Sequence, residues 1–296
     1  MNYNGTIYRP PVEAYTLLLP ITEGCSHNSC KFCNMYQNIP FRMLSLAEVE
    51  DFLKKIFEFN GENCQQVEKI YLVGADPFAL PAKKLLERAD LIKKYLPNVK
   101  IISMYARTDN ISKKSDEDLK ILKNAGFNDL YLGVECGLND VLKNLNKGYS
   151  ADETKKQCLR LNFFGINHCD LLMLGTAGKN RGMGTAIATA KLENEIKPTK
   201  ILLNTMSAFV GTILDEEIKT KRFIPAGEKE ILIEEKIFLE NLELPETYFW
   251  AIHPLDSVGI EGFLKTDKEK MLQKLNIAIE IVDEKNYNRI SRIGTL

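Results

Sequence analysis

A repeated alternation of strand-like and helix-like segments predicts an α/β fold, a partial (β/α)6 TIM-like barrel with a C-terminal α/β extension. Three observations carry that prediction. Short apolar runs rich in β-formers recur along the chain, each followed by a stretch with apolar residues at helical spacing. Capping boxes and glycine stops punctuate those stretches. Six such units fit into roughly 200 residues, too few for a closed eight-fold barrel, which typically needs about 250. A doubly wound open sheet shares the same periodicity and stands as the rival architecture. The barrel is expected over residues 1–210, with the extension over 211–296 packed on it.

The first strand reads from Tyr15 to Ile21. Ser45-Leu46-Ala47-Glu48 is a capping box, and Val49, Phe52, Leu53 and Ile56 follow on one helix face. Lys69 to Val73 is a second strand, ending at Gly74. Pro81 suits the first position of a helix that carries Leu85, Leu86, Ala89, Ile92 and Leu96 on one face. Ile101 to Tyr105 is the third strand. Ser115 starts a helix that Gly126 stops, and Leu130 to Val134 is the fourth strand. A second capping box, Ser150-Ala151-Asp152-Glu153, opens a helix ended by Gly165. Asp170 to Leu174 is the fifth strand. A helix over 184–196 leads to the sixth, Ile201 to Thr205. Beyond 210 the pattern loosens into a helix near 228–242, a strand near 247–252 and a helix near 267–283.

The net charge of −1 and a pI near 6.4 argue against broad electrostatic binding to nucleic acid. No apolar stretch approaches the roughly 20 residues that span a bilayer, so no membrane association is expected. The N-terminus MNYNGTIYRP lacks the apolar core of a signal peptide. A cytoplasmic location is therefore expected, where thiols stay reduced. The seven cysteines then read as ligands plus core residues rather than as a disulfide framework.

Three of them, Cys25, Cys30 and Cys33, fall within nine residues directly after the first strand, spaced C-x4-C-x2-C. Three thiolates so placed can hold a [4Fe–4S] cluster and leave one iron open. Two rivals use the same residues. A [2Fe–2S] electron carrier would take Cys64 as a fourth ligand. A structural zinc site would add His27. The open-iron reading alone expects further ligand-facing groups at the carboxyl ends of later strands. Gly74-Ala75-Asp76-Pro77 follows strand two, and Arg107 follows strand three, suited to clamp a carboxylate. Glu135-Cys136-Gly137 ends strand four, and Gly175-Thr176-Ala177-Gly178 ends strand five.

On these residues the chain resembles the radical S-adenosylmethionine (radical SAM) superfamily, most closely over about residues 15–180. The cysteine spacing is one residue longer than the usual C-x3-C-x2-C of that superfamily. The resemblance implies a [4Fe–4S] cluster on Cys25, Cys30 and Cys33, and S-adenosylmethionine (AdoMet) on its open iron. Phe32 would pack on the adenine. Gly74, Asp76 and Pro77 match the Gly-Gly-Glu-Pro type motif that receives the methionine amine. Ser103 and Glu135 stand where the superfamily contacts the methionine or ribose, and Gly175 resembles its glycine near the adenine. Arg107 would offset the carboxylate. The partners implied are a small-molecule or short peptide substrate and an electron donor such as flavodoxin or ferredoxin. Cys64, Cys136, Cys158 and Cys169 are scattered and read as core residues. His253 reads as a core or surface histidine, Tyr36 as packing or cavity lining, and the loop 178–184 as a strand-to-helix turn.

Overall fold

The computed structural model of the protein describes residues 6–282. Its strands are β1 (Leu17–Pro20), β2 (Thr22–Glu23), β3 (Arg42–Met43), β4 (Lys69–Val73), β5 (Ile101–Ala106), β6 (Phe127–Glu135), β7 (Asn167–Leu174), β8 (Lys200–Thr205), β9 (Tyr248–Ala251) and β10 (Ile260–Phe263). Its helices are α1 (Leu46–Asn60), α2 (Ala82–Tyr95), α3 (Thr108–Ser112), α4 (Asp116–Ala125), α5 (Asn139–Asn144), α6 (Ala151–Phe163), α7 (Gly182–Ile196), α8 (Ile213–Lys219), α9 (Glu228–Glu240) and α10 (Leu264–Ile281). The main sheet has eight strands in the order β1-β4-β5-β6-β7-β8-β9-β10, and β2 pairs with β3 in a separate ribbon. The α/β class and a mostly parallel sheet are therefore observed, as a partial barrel of βα units requires.

The chain divides into two compact units. The first comprises the described residues up to Asn28, Met35–Gly133 and Gln157–His168. Within it, β1 pairs β4, β4 pairs β5 and β5 pairs β6, all parallel. Side chains alternate across a strand, so Ile70, Leu72, Ile102, Met104, Leu130 and Leu132 share one buried face. Tyr71, Tyr105 and Tyr131 stand on the other, with ring centroids 5.8 to 6.2 Å apart in edge-to-face contact. At the amino-terminal end of these strands Lys69 bridges Glu13 and Asp129, at 2.7 Å each. Glu13 also accepts the Tyr131 hydroxyl.

Local signals place the helices. Ser45 and Glu48 form the expected reciprocal cap on α1. Gly126, at φ 108°, ends α4 as its left-handed cap. Among the boundaries that differ from expectation, two have a visible local cause. Tyr15 is fully exposed and β1 begins at Leu17, because a one-turn 3-10 helix over Pro11–Glu13 and the Thr16–Glu13 hydrogen bond hold the preceding residues. Pro81 caps α2 rather than entering it.

The second unit comprises Ser29–Asn34, Val134–Lys156 and Cys169 onward. Here β7 pairs β8 and β8 pairs β9 in parallel, while β10 runs antiparallel to β9. The residues beyond 210 thus continue the sheet of this unit, and α9 packs on α7 and α10. The units do not divide at residue 210.

Glu193 on α7 is fully buried beside Asp170 of β7. Burial, then the charge of Asp170, raises its pKa well above the ordinary carboxyl value. A carboxyl raised in the folded state contributes stability below its unfolded pKa, about 4.3, and loses that contribution as pH rises toward the folded value. Glu193→Gln keeps a donor for Asp170 and removes the titration. The variant is expected to melt above the wild type, with the gap widening from pH 5 to pH 8 by at most about 1.4 kcal/mol per unit. Thermal denaturation across that range checks it, and parallel curves would exclude the assignment.

Candidate functional site

The cysteine loop leaves β2 at Gly24, whose φ is 69°. A Cβ there would lie 2.6 Å from the carbonyl oxygens of Ile39 and Pro40, so the turn admits glycine alone. Cys25, Cys30 and Cys33 are half-buried, whereas Cys64, Cys136, Cys158 and Cys169 are buried. The Asn28 N–H points at Cys25 Sγ, 3.4 Å away, and Cys33 N–H donates to Cys30 O. Burial, and then the charge of Asp76, pushes the Cys25 thiol pKa up.

The segment 29–34 is fastened within the second unit through Lys31 and Ser29. Lys31 N–H donates to Leu145 O at 3.0 Å, and Lys31 O accepts from Leu214 N–H at 2.9 Å. Lys31 Nζ pairs with Glu217 at 2.6 Å, and Asn146 donates to Ser29 O. The donor set of three half-exposed thiols fits a thiolate-bound cluster.

In the first unit the loops after β4 and β5 carry the next groups. Gly74 sits at φ 149°, and a Cβ would meet Thr22 Oγ1 at 2.0 Å and Pro77 Cγ at 3.0 Å. Only glycine keeps this close approach of the backbone. Asp76 is fully buried. It accepts Ser26 N–H at 3.0 Å and the Ser26 hydroxyl, next to Cys25, and lies 3.5 Å from Asn110 Nδ2. Burial raises its pKa, and the Ser26 bonds and the Arg107 charge oppose that shift. Asp76 therefore ties the turn after β4 to the first cysteine, a link that spacing alone does not reveal. Arg107 is buried and pairs through Nε with Asp109 at 2.9 Å, and its N–H donates to Asn110 Oδ1. Ser103 lies mid-strand, fully buried, with its hydroxyl on Ile70 O.

In the second unit Glu135 adopts φ 67°, a left-handed conformation that costs a non-glycine residue on the order of 1–3 kcal/mol. Its carboxylate accepts from Lys147 Nζ at 2.7 Å, both side chains being buried. Lys147 also stands 5.8 Å from the Phe32 ring centroid and 5.4 Å from that of Tyr149. Gly175, at φ 74°, donates its N–H to Glu234 Oε2 at 3.0 Å. Burial pushes Glu234 up to about 8, so this carboxyl is largely protonated at neutral pH. Lys147 and Glu234 escaped the sequence reading of ligand groups. The left-handed Glu135 has no signature in a single sequence, and Glu234 sits on a helix far along the chain.

Cys64 lies in a 3-10 turn just past the carboxyl end of α1, fully buried, and leads into the amino-terminal end of β4. The cysteine loop follows the carboxyl end of β1, which is parallel to β4. Cys64 and the cysteine loop thus adjoin opposite ends of the parallel β1–β4 pair. His253 closes a turn, its Nδ1 accepting from Leu255 N–H. Tyr36 is buried and packs edge-on to Tyr8.

A family model described as the Radical SAM superfamily matches residues 19–182, just over half of the chain. A curated relative, the heme chaperone HemW of Bacillus subtilis (strain 168), is 29% identical over 114 residues. That alignment covers 38% of this chain and 30% of the relative, so the chain spans less than a third of the protein it matches. Among solved structures, methylornithine synthase (PylB) superposes with a TM-score of 0.54 at 17% identity, covering 88% of this chain and 81% of that one. Coproporphyrinogen III oxidase (HemN) from Escherichia coli gives 0.54 at 17%, covering 76% and 52%. These likenesses show the fold.

Proposed function

The chain belongs to the radical SAM superfamily, and from that premise we propose that it cleaves AdoMet reductively and uses the resulting radical on a small-molecule or short peptide substrate. A [4Fe–4S] cluster on Cys25, Cys30 and Cys33 would supply an open iron and one electron, releasing methionine and a 5′-deoxyadenosyl radical that takes a hydrogen atom from substrate. The observation that carries the reading is the Asp76–Ser26 pair, which fastens the acid of the second loop beside the first cysteine. Asp76 and the Gly74 backbone would receive the amine, and Arg107 would balance the carboxylate. Phe32 would cover the adenine, with Glu135 and Gly175 at the ribose and base. Ser103 would act from beneath, as part of the wall. The electron would come from a flavodoxin- or ferredoxin-type donor.

A non-catalytic [2Fe–2S] carrier loses support from the position of Cys64. Anaerobic reconstitution with iron and sulfide, then dithionite and AdoMet, tests the proposal. Equimolar methionine and 5′-deoxyadenosine are expected. A fully loaded protein that releases no nucleoside would overturn it.

A further inference from the structure

We infer that Lys114 is a positioning residue, an internal cation that pins the loop after β4 to the loop after β5 and so fixes Asp76 and Arg107 in one geometry for AdoMet. The inference rests on the function proposed above.

Lys114 follows α3 and is almost wholly buried. Its ammonium group donates to Phe78 O at 2.6 Å, Leu80 O at 3.1 Å and Asn110 O at 3.4 Å. Three donors thus meet three main-chain carbonyls, which completes the capacity of an ammonium ion. The Phe78 ring centroid lies 4.2 Å from Nζ and adds its π face. No carboxylate pairs with Lys114 among the described residues. The site is built like one for a monovalent cation, with the cation supplied by the chain itself.

Each carbonyl belongs to a segment next to a proposed ligand group, Phe78 and Leu80 to the turn after β4 and Asn110 to α3. Phe78 and Leu80 lie in the turn that starts at Asp76, where Ala79 N–H donates to Asp76 O and Leu80 N–H to Pro77 O. Asn110 accepts from Lys114 through its main chain. Its side chain meanwhile accepts Arg107 N–H and reaches Asp76. The backbone of Lys114 is held in turn by Arg160, which donates to Lys114 O at 2.8 Å and pairs with Asp116.

Burial lowers the Lys114 pKa to about 8, and the charge of Asp118 opposes that shift. A buried charge hydrogen-bonded to main-chain carbonyls is an expensive way to fill a core, and an apolar chain of similar size would pack there with less desolvation. Its place between two ligand-bearing loops gives that expense a purpose.

Lys114→Met keeps the length and removes the donors. AdoMet affinity, measured by equilibrium dialysis on the reconstituted protein, is expected to fall about tenfold or more. Iron and sulfide content should stay at the wild-type level. The AdoMet-induced change in the electron paramagnetic resonance (EPR) signal of the reduced cluster should shift to correspondingly higher AdoMet. Hydrogen exchange in the cluster-free protein should quicken in residues 76–80 and 107–112 only. Unchanged affinity in the variant overturns the inference while leaving the proposed function standing. Wild-type protein that binds no AdoMet overturns both. If Lys114→Met does not fold, Lys114→Gln is read in the same way. Failure of both to fold makes Lys114 a structural residue and overturns the inference.

Discussion

Cys30→Ala is expected to abolish cluster assembly while leaving the fold intact. The loop around Cys30 is held by Lys31, Ser29 and their partners, none of which needs the thiol. Cys30 is half-buried, so its truncation leaves little cavity. The stability of the cluster-free protein should change by no more than about 0.5 kcal/mol, as is usual for such surface-near changes. Iron bound after reconstitution should fall to background, along with the charge-transfer absorption. Cys64→Ala gives the opposite pair of results: normal iron, and a stability loss on the order of 1 kcal/mol from a fully buried side chain. Iron retained by Cys30→Ala, or lost by Cys64→Ala, contradicts the ligand assignment.

Asp76→Ala acts on both loops at once. It leaves Ser26 N–H without its acceptor and removes the buried carboxylate proposed to receive the AdoMet amine. Hydrogen bonds to a charged group are worth about 1.5–3 kcal/mol, so AdoMet affinity should drop by roughly 10- to 150-fold. The reconstituted cluster should also lose iron faster to a chelator, because the residue after Cys25 is no longer held. Asp76→Asn retains one acceptor for Ser26 and should recover cluster lifetime more than AdoMet affinity. Chelator kinetics and dialysis separate the two effects. Wild-type values for both in the alanine variant would remove Asp76 from the site.

Much of the fold was legible because local signals and burial agreed. The Ser45 and Ser115 caps, the Gly126 stop and the apolar runs of β4 to β8 lie where hydrophobic period and capping chemistry place them. Less legible were elements fixed by non-local pairing. The two-residue strands β2 and β3 exist through each other and through the Arg42–Glu23 ion pair. The short helix α3 is nucleated by Asn110 turning back to Arg107 N–H, where sequence suggests only a loop. The cysteine triad was the clearest chemical signal, since ligand spacing is local. What Asp76, Glu135 and Gly175 do was less so. Each is partnered by a residue distant in sequence or in an unusual backbone state: Ser26, Lys147 and Glu234. The hydrogen bond of the Ser103 hydroxyl to Ile70 O comes from strand register and is not legible in local sequence.

One vacant coordination position on the bound cluster is the premise of the whole account. EPR of the reconstituted, dithionite-reduced protein, with AdoMet labelled with nitrogen-15 at the amine, addresses it directly. The account predicts altered g-values on adding AdoMet and a hyperfine coupling from the labelled nitrogen. A spectrum indifferent to saturating AdoMet, with the fourth position held by a protein side chain, would contradict it.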